Sequence, residues 1–314
     1  IYHGGYEKDL QTGRLLSDTD ENIACRICEE LDFDLLLTGH QHLKLENAVW
    51  HGTHLAQTPA NGTHFIRVDV HENGAIESSL HPAIITDTPG FEKEEAEVNA
   101  WLDSPVGCLN RPLWSEDKIQ MALHGTPIAD FFNQVQLEAT GADISCTSLA
   151  NDVRGFAQQV TVRDVVATYV YPNTLVVLEV DEGVLRAALE RCAAYFNEDL
   201  TVARDFLEPK VAHYNYDFFA GIEYTFDLAK PVGHRVVSLT RGGKPLAGKY
   251  TLVMNNYRAT GVGGYDAYCA CPHVREVLTE MSELILDYFE KHKQVTVQPL
   301  SAFRVIRSGP EGEK

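Results

Sequence analysis

The chain has 314 residues, of which 44% are hydrophobic and 23% are charged, and its formal net charge at pH 7 is −19. The composition is that of an ordinary globular protein, and the length allows two domains, each with a buried core. The acidic excess disfavours nucleic-acid polymers as partners, because they bind basic surfaces, but local arginines or a metal ion would still accommodate a small phosphorylated ligand.

The first predicted elements form an α/β unit. Residues 23–31 place apolar side chains on one face of a helix, with Asp18 or Thr19 as the expected N-cap. The apolar run at 34–38 is too short for a helix and predicts a buried interior strand. Residues that follow such a strand lie at the sheet edge where α/β proteins bind their ligands.

A β-hairpin and a connecting segment are predicted next. Residues 65–70 and 76–80 flank Glu72–Asn73–Gly74, which is typical of a tight turn between two strands. Two prolines and a glycine between 82 and 90 then indicate a linker. We therefore predict a first domain over 1–85, a connecting segment with a helix over 86–104, and a second domain over 105–314.

The rest of the chain is predicted to be mixed α/β, because helical and strand periodicities both occur in it. In chain order the patterns predict a helix over 92–102, a helix over 128–137, a short strand over 143–145, a helix over 162–169, a strand over 174–180, a helix over 184–196, strands over 214–226, 235–239 and 250–254, and a final helix over 274–289.

Two histidines at alternate positions follow the first predicted strand. His40 and His42 flank Gln41 directly after the apolar run, and a third histidine, His3, lies near the first residue. Imidazole is a common ligand of zinc and related transition metals. A His-x-His on a loop is often only surface decoration, but its place at the carboxyl end of a predicted buried strand favours a metal site.

Four short motifs occur in a fixed order along the chain: Tyr2–Glu7, Leu37–His42, Tyr171–Leu175 and Asn255–Ala259. In this order they resemble the two-domain 5′-nucleotidase family, in particular its 2′,3′-cyclic-nucleotide 2′-phosphodiesterase/3′-nucleotidase branch. The similarity runs from residue 1 to about residue 307. The resemblance implies an α/β fold in which a remnant of a calcineurin-like metallophosphoesterase sandwich, over 1–85, precedes a mixed α/β nucleotide-binding domain, over 105–314.

The resemblance also implies metal-dependent hydrolysis of nucleotide phosphoesters. Two divalent ions, zinc, manganese or similar, lie in the family's amino-terminal domain; His3 and His40 resemble ligands of the second ion and His42 a ligand of the first. The family's Asp-x-His, bridging Asp and Asn-His-Glu/Asp segments would precede His3 and are absent here, which we interpret as an amino-terminal truncation. Because a bridging carboxylate holds the two ions together, we expect the parent protein to be active and this chain to be inactive. The two ions are expected in the parent protein, and this chain need not bind either of them.

The resemblance places a nucleoside site in the second domain. Tyr171 and Tyr257 would sandwich the base between their rings, and Asn173 would hydrogen-bond the base edge. Gly261 and Gly263, in a loop that follows Tyr257, would let the backbone approach the ribose. Spacing alone favours ordinary aromatics at strand ends, so the motif match carries the interpretation of Tyr171 and Tyr257 as stacking residues.

Three arginines are candidate phosphate or ribose contacts, because the planar guanidinium group suits phosphate oxygens. Arg154 stands where 5′-nucleotidases carry a Gly-Gly-Ile-Arg loop, although the glycines are absent here, and Arg111 is a weaker candidate. Arg258 follows the stacking tyrosine and is also expected to point to the opposite side. The family's ribose-binding aspartate has no direct match, since the nearest acid to the glycine loop is Asp266.

The seven cysteines lack the spacing of a disulfide scaffold. Unpaired thiols favour a reducing compartment, and thus the cytoplasm, whereas the family resemblance also allows an exported or periplasmic protein, so the location stays open. No apolar run reaches the roughly 18 residues of a membrane-spanning helix, and no membrane span is predicted.

Two alternative functions stay open. The chain could be a nucleoside-binding module without catalysis, or part of a 5′-nucleotidase or nucleotide-sugar hydrolase built on the same scaffold. In each case the expected partner is a small-molecule nucleotide or nucleoside. Catalysis would require the missing amino-terminal half, and the sheet edge exposed by its absence could pair with another strand.

Overall fold

The computed structural model describes residues 1–16, 22–84, 90–197 and 213–308. The chain divides into two compact units, Ile1–Phe91 and Glu92–Lys314, each with its own hydrophobic cluster. The boundary between the units lies inside the predicted connecting segment, and the helix predicted over 92–102 belongs to the second unit. None of the helices in the described ranges is long and apolar enough to cross a lipid bilayer.

The first unit combines a short helix with two small sheets. Strand β3 lies between β1, to which it is parallel, and β2, to which it is antiparallel, while β4 and β5 form the predicted hairpin. The predicted interior place of the first strand is wrong for the described residues, because β1 is an outer strand whose second side pairs only with the backbone at Tyr2. The elements are α1 (Ala24–Glu30), β1 (Leu35–Thr38), β2 (Leu45–Trp50), β3 (Thr53–Gln57), β4 (His64–Val70) and β5 (Ile76–Pro82).

Glu7 caps helix α1 from a distant position in the sequence. Its two carboxylate oxygens accept hydrogen bonds from the backbone N–H groups of Cys25, at 2.9 Å, and Arg26, at 2.6 Å. The first N–H groups of a helix have no partner within it, and a negative charge there also complements the helix dipole. The predicted caps, Asp18 and Thr19, lie outside the described residues.

The second unit holds the larger core and is mixed α/β, as predicted. Its elements are α2 (Glu92–Leu102), β6 (Pro105–Leu109), β7 (Leu113–Trp114), α3 (Lys118–His124), α4 (Pro127–Thr140), β8 (Ile144–Ser148), β9 (Gly155–Phe156), β10 (Gln159–Thr161), α5 (Val162–Thr168), β11 (Leu175–Val180), α6 (Glu182–Ala193), β12 (Asp217–Ala220), β13 (Glu223–Asp227), β14 (Val236–Arg241), β15 (Lys244–Pro245), β16 (Tyr250–Asn255), α7 (Asn256–Ala259), β17 (His273–Val277), α8 (Met281–His292), β18 (Gln294–Val295) and β19 (Ala302–Ile306).

A five-stranded sheet is the centre of the second unit, with the order β12-β8-β16-β11-β17. Strand β11 pairs antiparallel with β16 on one side and with β17 on the other. Its apolar, largely β-branched residues are almost all buried, which fits a strand covered on both faces. The start of β11 and the end of β16 therefore lie side by side at one end of the sheet, where Leu175 pairs with Asn255.

The segment predicted as one strand over 214–226 is a 3₁₀ turn, His213–Asn215, followed by β12 and β13. Gly221 separates the two strands and has a φ of 90°, and a Cβ atom at this position would lie 2.5 Å from the carbonyl oxygen of Asp143. Only glycine adopts this backbone conformation without strain in such a narrow space. The chain therefore turns at Gly221 and starts a different sheet.

The predicted helix over 274–289 is wrong in its first part. Residues His273–Val277 form the edge strand β17, and helix α8 begins only at Met281. Hydrogen bonding to β11 decides this outcome, with Leu175 paired to Val277 and Val177 to Arg275. A long-range partner thus overrides a local pattern that is equally compatible with a helix.

Candidate functional site

The first unit brings two of the three predicted metal ligands together. The backbone N–H of Tyr2 donates to the carbonyl of Leu37 at 2.9 Å, which places His3 beside the loop that follows β1. The rings of His3 and His40 lie edge to face, with their centroids 5.7 Å apart. His42 is exposed on the same loop, and both loop histidines have positive φ angles, 67° for His40 and 56° for His42.

A hydrogen-bond network fixes this loop to the first segment of the chain. The side-chain amide of Gln41 accepts from the backbone N–H of Tyr6 at 2.8 Å and donates to the carbonyl of Tyr6 at 3.0 Å. The hydroxyl of Thr38 donates to that of Tyr6, at 2.8 Å. Gln57 donates to Thr38 and accepts from the backbone N–H of Leu43. The loop between β1 and β2 is therefore held at both ends and in the middle.

The donor atoms present fit only part of a two-metal centre. Two imidazole groups lie close together, which suits zinc and related transition metals. Among the described residues, however, no group of three or more His, Cys, Asp or Glu side chains is arranged to hold a metal ion. Within the described ranges, then, His3 and His40 are not joined by the carboxylate that a two-ion centre needs as a bridge, and no catalytic step can be built from these two residues alone.

In the second unit the predicted stacking tyrosines lie at one end of the sheet. Tyr171 precedes β11, and Tyr257 lies in the short helix α7 that follows β16. The backbone N–H of Asn256 donates to the carbonyl of Thr174 at 2.9 Å and ties the two segments together. Large fractions of both side chains are exposed, 45% for Tyr171 and 37% for Tyr257. Exposed rings on joined segments of this kind are suited to stack on a planar ligand.

Two further residues lie near Tyr171. Partial burial raises the pKa of Tyr171, and the neighbouring hydroxyl of Tyr214 and the carboxylate of Asp152 raise it further. The loop that carries Asp152 also carries Arg154, which is exposed. The sequence analysis missed Tyr214, since its only signal was an aromatic residue at the start of a segment predicted to be one strand.

Asn173 is only half-buried, and its side chain is not free for a ligand alone. Burial raises the pKa of the Tyr169 hydroxyl to about 12, and hydrogen bonds from Asn173 and Asn255 act in the opposite direction. The side chain of Asn173 thus faces a buried tyrosine beneath the site. Its backbone carbonyl accepts from Met281 at 2.8 Å, so both ends of the residue are held. The predicted contact of Asn173 with the base stays a prediction.

The glycine loop packs closely against its surroundings. A Cβ atom on Gly263, whose φ is 85°, would lie 2.3 Å from Oδ1 of Asn215 and 2.6 Å from Nη1 of Arg258. A Cβ atom on Gly261 would lie 2.4 Å from the sulfur of Cys269. The loop therefore needs glycine for internal packing as well as for its backbone conformation. The proposed approach of Gly261 and Gly263 to the ribose stays a prediction.

Arg258, a candidate phosphate or ribose contact that was also expected to point to the opposite side, is buried inside the second unit. Its side chain is 2% exposed, and its Nε lies 2.9 Å from a carboxylate oxygen of Asp217. The guanidinium group also lies over the ring of Tyr265, 4.2 Å from the centroid. Burial alone would lower the pKa of Arg258, but Asp217 beside it raises the value, so the side chain stays charged.

The comparisons with known proteins agree with these features. A model of the 5′-nucleotidase C-terminal domain matches residues 109–269, just over half of the chain. The chain belongs to the 5′-nucleotidase C-terminal domain family. The 2′,3′-cyclic-nucleotide 2′-phosphodiesterase/3′-nucleotidase of Haemophilus influenzae is 32% identical in an alignment of 191 positions, which covers 51% of this chain and 28% of that protein.

Solved structures of 5′-nucleotidases share the fold. A Staphylococcus aureus protein described as a 5′-nucleotidase, solved in complex with α-ketoglutarate, is 32% identical with a TM-score of 0.78. The alignment covers 98% of this chain and 63% of that one. A 5′-nucleotidase precursor from Thermus thermophilus shares the fold at 19% identity and a TM-score of 0.55, over 88% of this chain and 60% of that one. The chain thus spans less than two thirds of the length of each of these relatives. The predicted family and fold are confirmed.

Proposed function

We propose that the whole protein hydrolyses nucleotide phosphoesters, namely 2′,3′-cyclic nucleotides and nucleoside monophosphates, with the help of divalent metal ions. The family supports a phosphoesterase, and the name of the Haemophilus influenzae relative supports the cyclic-nucleotide branch. In this proposal the second unit of the chain binds the nucleoside. His3, His40 and His42 would contribute imidazole ligands to metal ions only together with ligands that this set lacks, a bridging carboxylate above all.

One observation carries the nucleoside-binding role. The pairing of β11 with β16 places Tyr171 and Tyr257 on joined segments at one sheet end, with both rings partly exposed. Base stacking on an aromatic ring contributes about 1–3 kcal/mol and tolerates any base, because every base has a π-face. The exposed guanidinium of Arg154 in the loop beside Tyr171 would then lie on the phosphate side of the nucleotide.

A titration of the 314-residue chain with adenosine tests this role. Because each ring contributes about 1–3 kcal/mol, Tyr257→Ala should weaken adenosine binding about ten- to hundredfold, whereas Tyr257→Phe should change it little. Adenosine should bind more tightly than uridine, since a purine offers more surface for stacking. Tyr250→Ala is the matched control. Tyr250 is a half-buried tyrosine at the start of β16, whereas Tyr257 follows the end of that strand.

Two results would contradict the nucleoside-binding role. One is a folded chain that shows no adenosine binding, and the other is a Tyr257→Ala variant that binds as tightly as the unsubstituted chain. If adenosine binds but the whole protein hydrolyses no nucleotide, the second unit is a nucleoside-binding module and the phosphoesterase proposal is wrong.

A further inference from the structure

Arg258 uses its whole guanidinium group inside the second unit. Besides its ion pair with Asp217, its Nη2 donates to the backbone carbonyl of Tyr214 at 2.9 Å. Its Nη1 donates to the carbonyl of Val262 at 2.5 Å and to Oδ1 of Asn215 at 3.3 Å. A buried arginine is stable only when its charge is paired and its N–H groups are satisfied.

These contacts join α7 to the glycine loop that follows it and to a turn more than 40 residues earlier in the sequence. Arg258 itself lies in α7, next to the exposed Tyr257. Its acceptors lie in the 3₁₀ turn His213–Asn215 and in the glycine loop at Val262. The turn and the loop also touch each other, because a Cβ atom on Gly263 would clash with the side chain of Asn215. One cation is thus the common contact of two segments that meet at α7, next to the residue that follows Tyr257.

We infer that Arg258 is a positioning residue for the nucleoside site: it holds the Tyr214–Asn215 turn and the glycine loop in fixed places relative to α7, the helix that carries Tyr257. The inference rests on the proposed nucleoside-binding role and assigns Arg258 no contact with the ligand. A site whose walls are fixed before the ligand arrives loses less free energy on binding than one that must be ordered.

Arg258→Lys tests the inference, and Arg235→Lys is its matched control. Lysine keeps the positive charge beside Asp217, but a single ammonium group cannot replace the planar fork that reaches two carbonyls in two segments. Arg235 is also a fully buried arginine of this unit, 1% exposed, and donates to the carbonyls of Ala193, Phe196 and Asn197. Both substitutions should lower stability, but only Arg258→Lys should loosen the segments around Tyr257.

The two readouts are adenosine affinity, measured well below the unfolding temperature, and hydrogen exchange of residues 213–215 and 261–265. We expect Arg258→Lys to bind adenosine at least tenfold more weakly and to exchange faster in both segments. We expect Arg235→Lys to bind within twofold of the unsubstituted chain and to exchange normally there. If Arg258→Lys does not fold, Asn215→Ala removes a single acceptor of Arg258 and should weaken binding about threefold.

The inference is overturned if Arg258→Lys binds adenosine within twofold of the unsubstituted chain. If Arg258→Lys does not fold and Asn215→Ala is used instead, unchanged adenosine binding by Asn215→Ala overturns it. Neither result affects the proposed nucleoside-binding role, which depends on the unsubstituted chain and on Tyr257→Ala. If the unsubstituted chain binds no adenosine, the nucleoside-binding role fails. Hydrogen exchange still tests whether Arg258 holds the two segments. Equal exchange of residues 213–215 and 261–265 in Arg258→Lys and Arg235→Lys shows that it does not.

Discussion

His213 should make the second unit sensitive to mild acid. The residue lies in the 3₁₀ turn that also carries Tyr214, and it is only 4% exposed. Its Nδ1 lies 3.3 Å from the hydroxyl of Tyr195. Burial lowers the pKa of His213 from 6.5 to about 4, the charge of Lys118 lowers it as well, and Asp117 opposes them. The folded protein therefore keeps this imidazole neutral at pH values where an exposed histidine is charged.

The magnitude follows from proton linkage. Because the folded pKa lies below the unfolded one, the unfolded chain binds the proton first, and the contribution of His213 to stability is complete above about pH 6.5. It is lost progressively as the pH falls from 6.5 towards 4. A pKa of 6.5 in the unfolded chain and about 4 in the folded chain corresponds to a loss of about 2 kcal/mol at pH 5. Water that reaches the ring reduces this value, so we expect a loss of about 1–2 kcal/mol.

The perturbation is His213→Gln, and the assay is urea unfolding at pH 7.5 and pH 5, followed by near-ultraviolet circular dichroism of the tyrosines buried in this unit. Glutamine stays neutral at both pH values, so the variant should lose about 1–2 kcal/mol less stability between them than the unsubstituted chain. His234→Gln is the control, because His234 is an exposed histidine of the same unit. An equal loss of stability in the unsubstituted chain and in His213→Gln would refute the reasoning.

Two further predictions concern the first unit and catalysis. Gln41→Ala should destabilise the first unit by about 1–3 kcal/mol, because the N–H and carbonyl of Tyr6 lose their partner. The side-chain NMR resonances of His3 and His40 should also shift, and unchanged resonances would contradict the positioning of the loop by Gln41. With manganese or zinc added, the 314-residue chain should hydrolyse 2′,3′-cyclic nucleotides at least a hundredfold more slowly than a version extended upstream by the family's carboxylate segments. Similar rates of hydrolysis would contradict this prediction.

Elements with strong local signals could be predicted from the sequence. The strand over 174–180 has β-branched residues bounded by a proline and an asparagine on one side and an aspartate on the other, and it forms as β11. The helix predicted from 184 starts close to that point, because the side chain of Asp181 accepts from the N–H of Val184 as an N-cap. For these segments the local preference and the final structure agree.

Features decided by distant partners could not be predicted. The cap of α1 is Glu7, 18 residues from Cys25, whereas cap rules examine only the residues directly before a helix. The strand at 273–277 exists because β11 offers it an edge. Likewise, the buried place of Arg258 depends on Asp217, 41 residues away, so its position beside a stacking tyrosine could not decide between a ligand contact and the opposite side.

The arrangement around the tyrosines bears on how selective the proposed site can be. Discrimination between bases requires polar groups that are left without a partner when the wrong base binds. The side chain of Asn173 already interacts with the buried Tyr169, so reading the base edge would compete with an internal contact. The rings of Tyr171 and Tyr257, by contrast, are partly exposed, so part of each is open to a stacked base. Affinity should therefore follow the stacking area of the base, and a site of this kind is suited to accept several nucleotides rather than one.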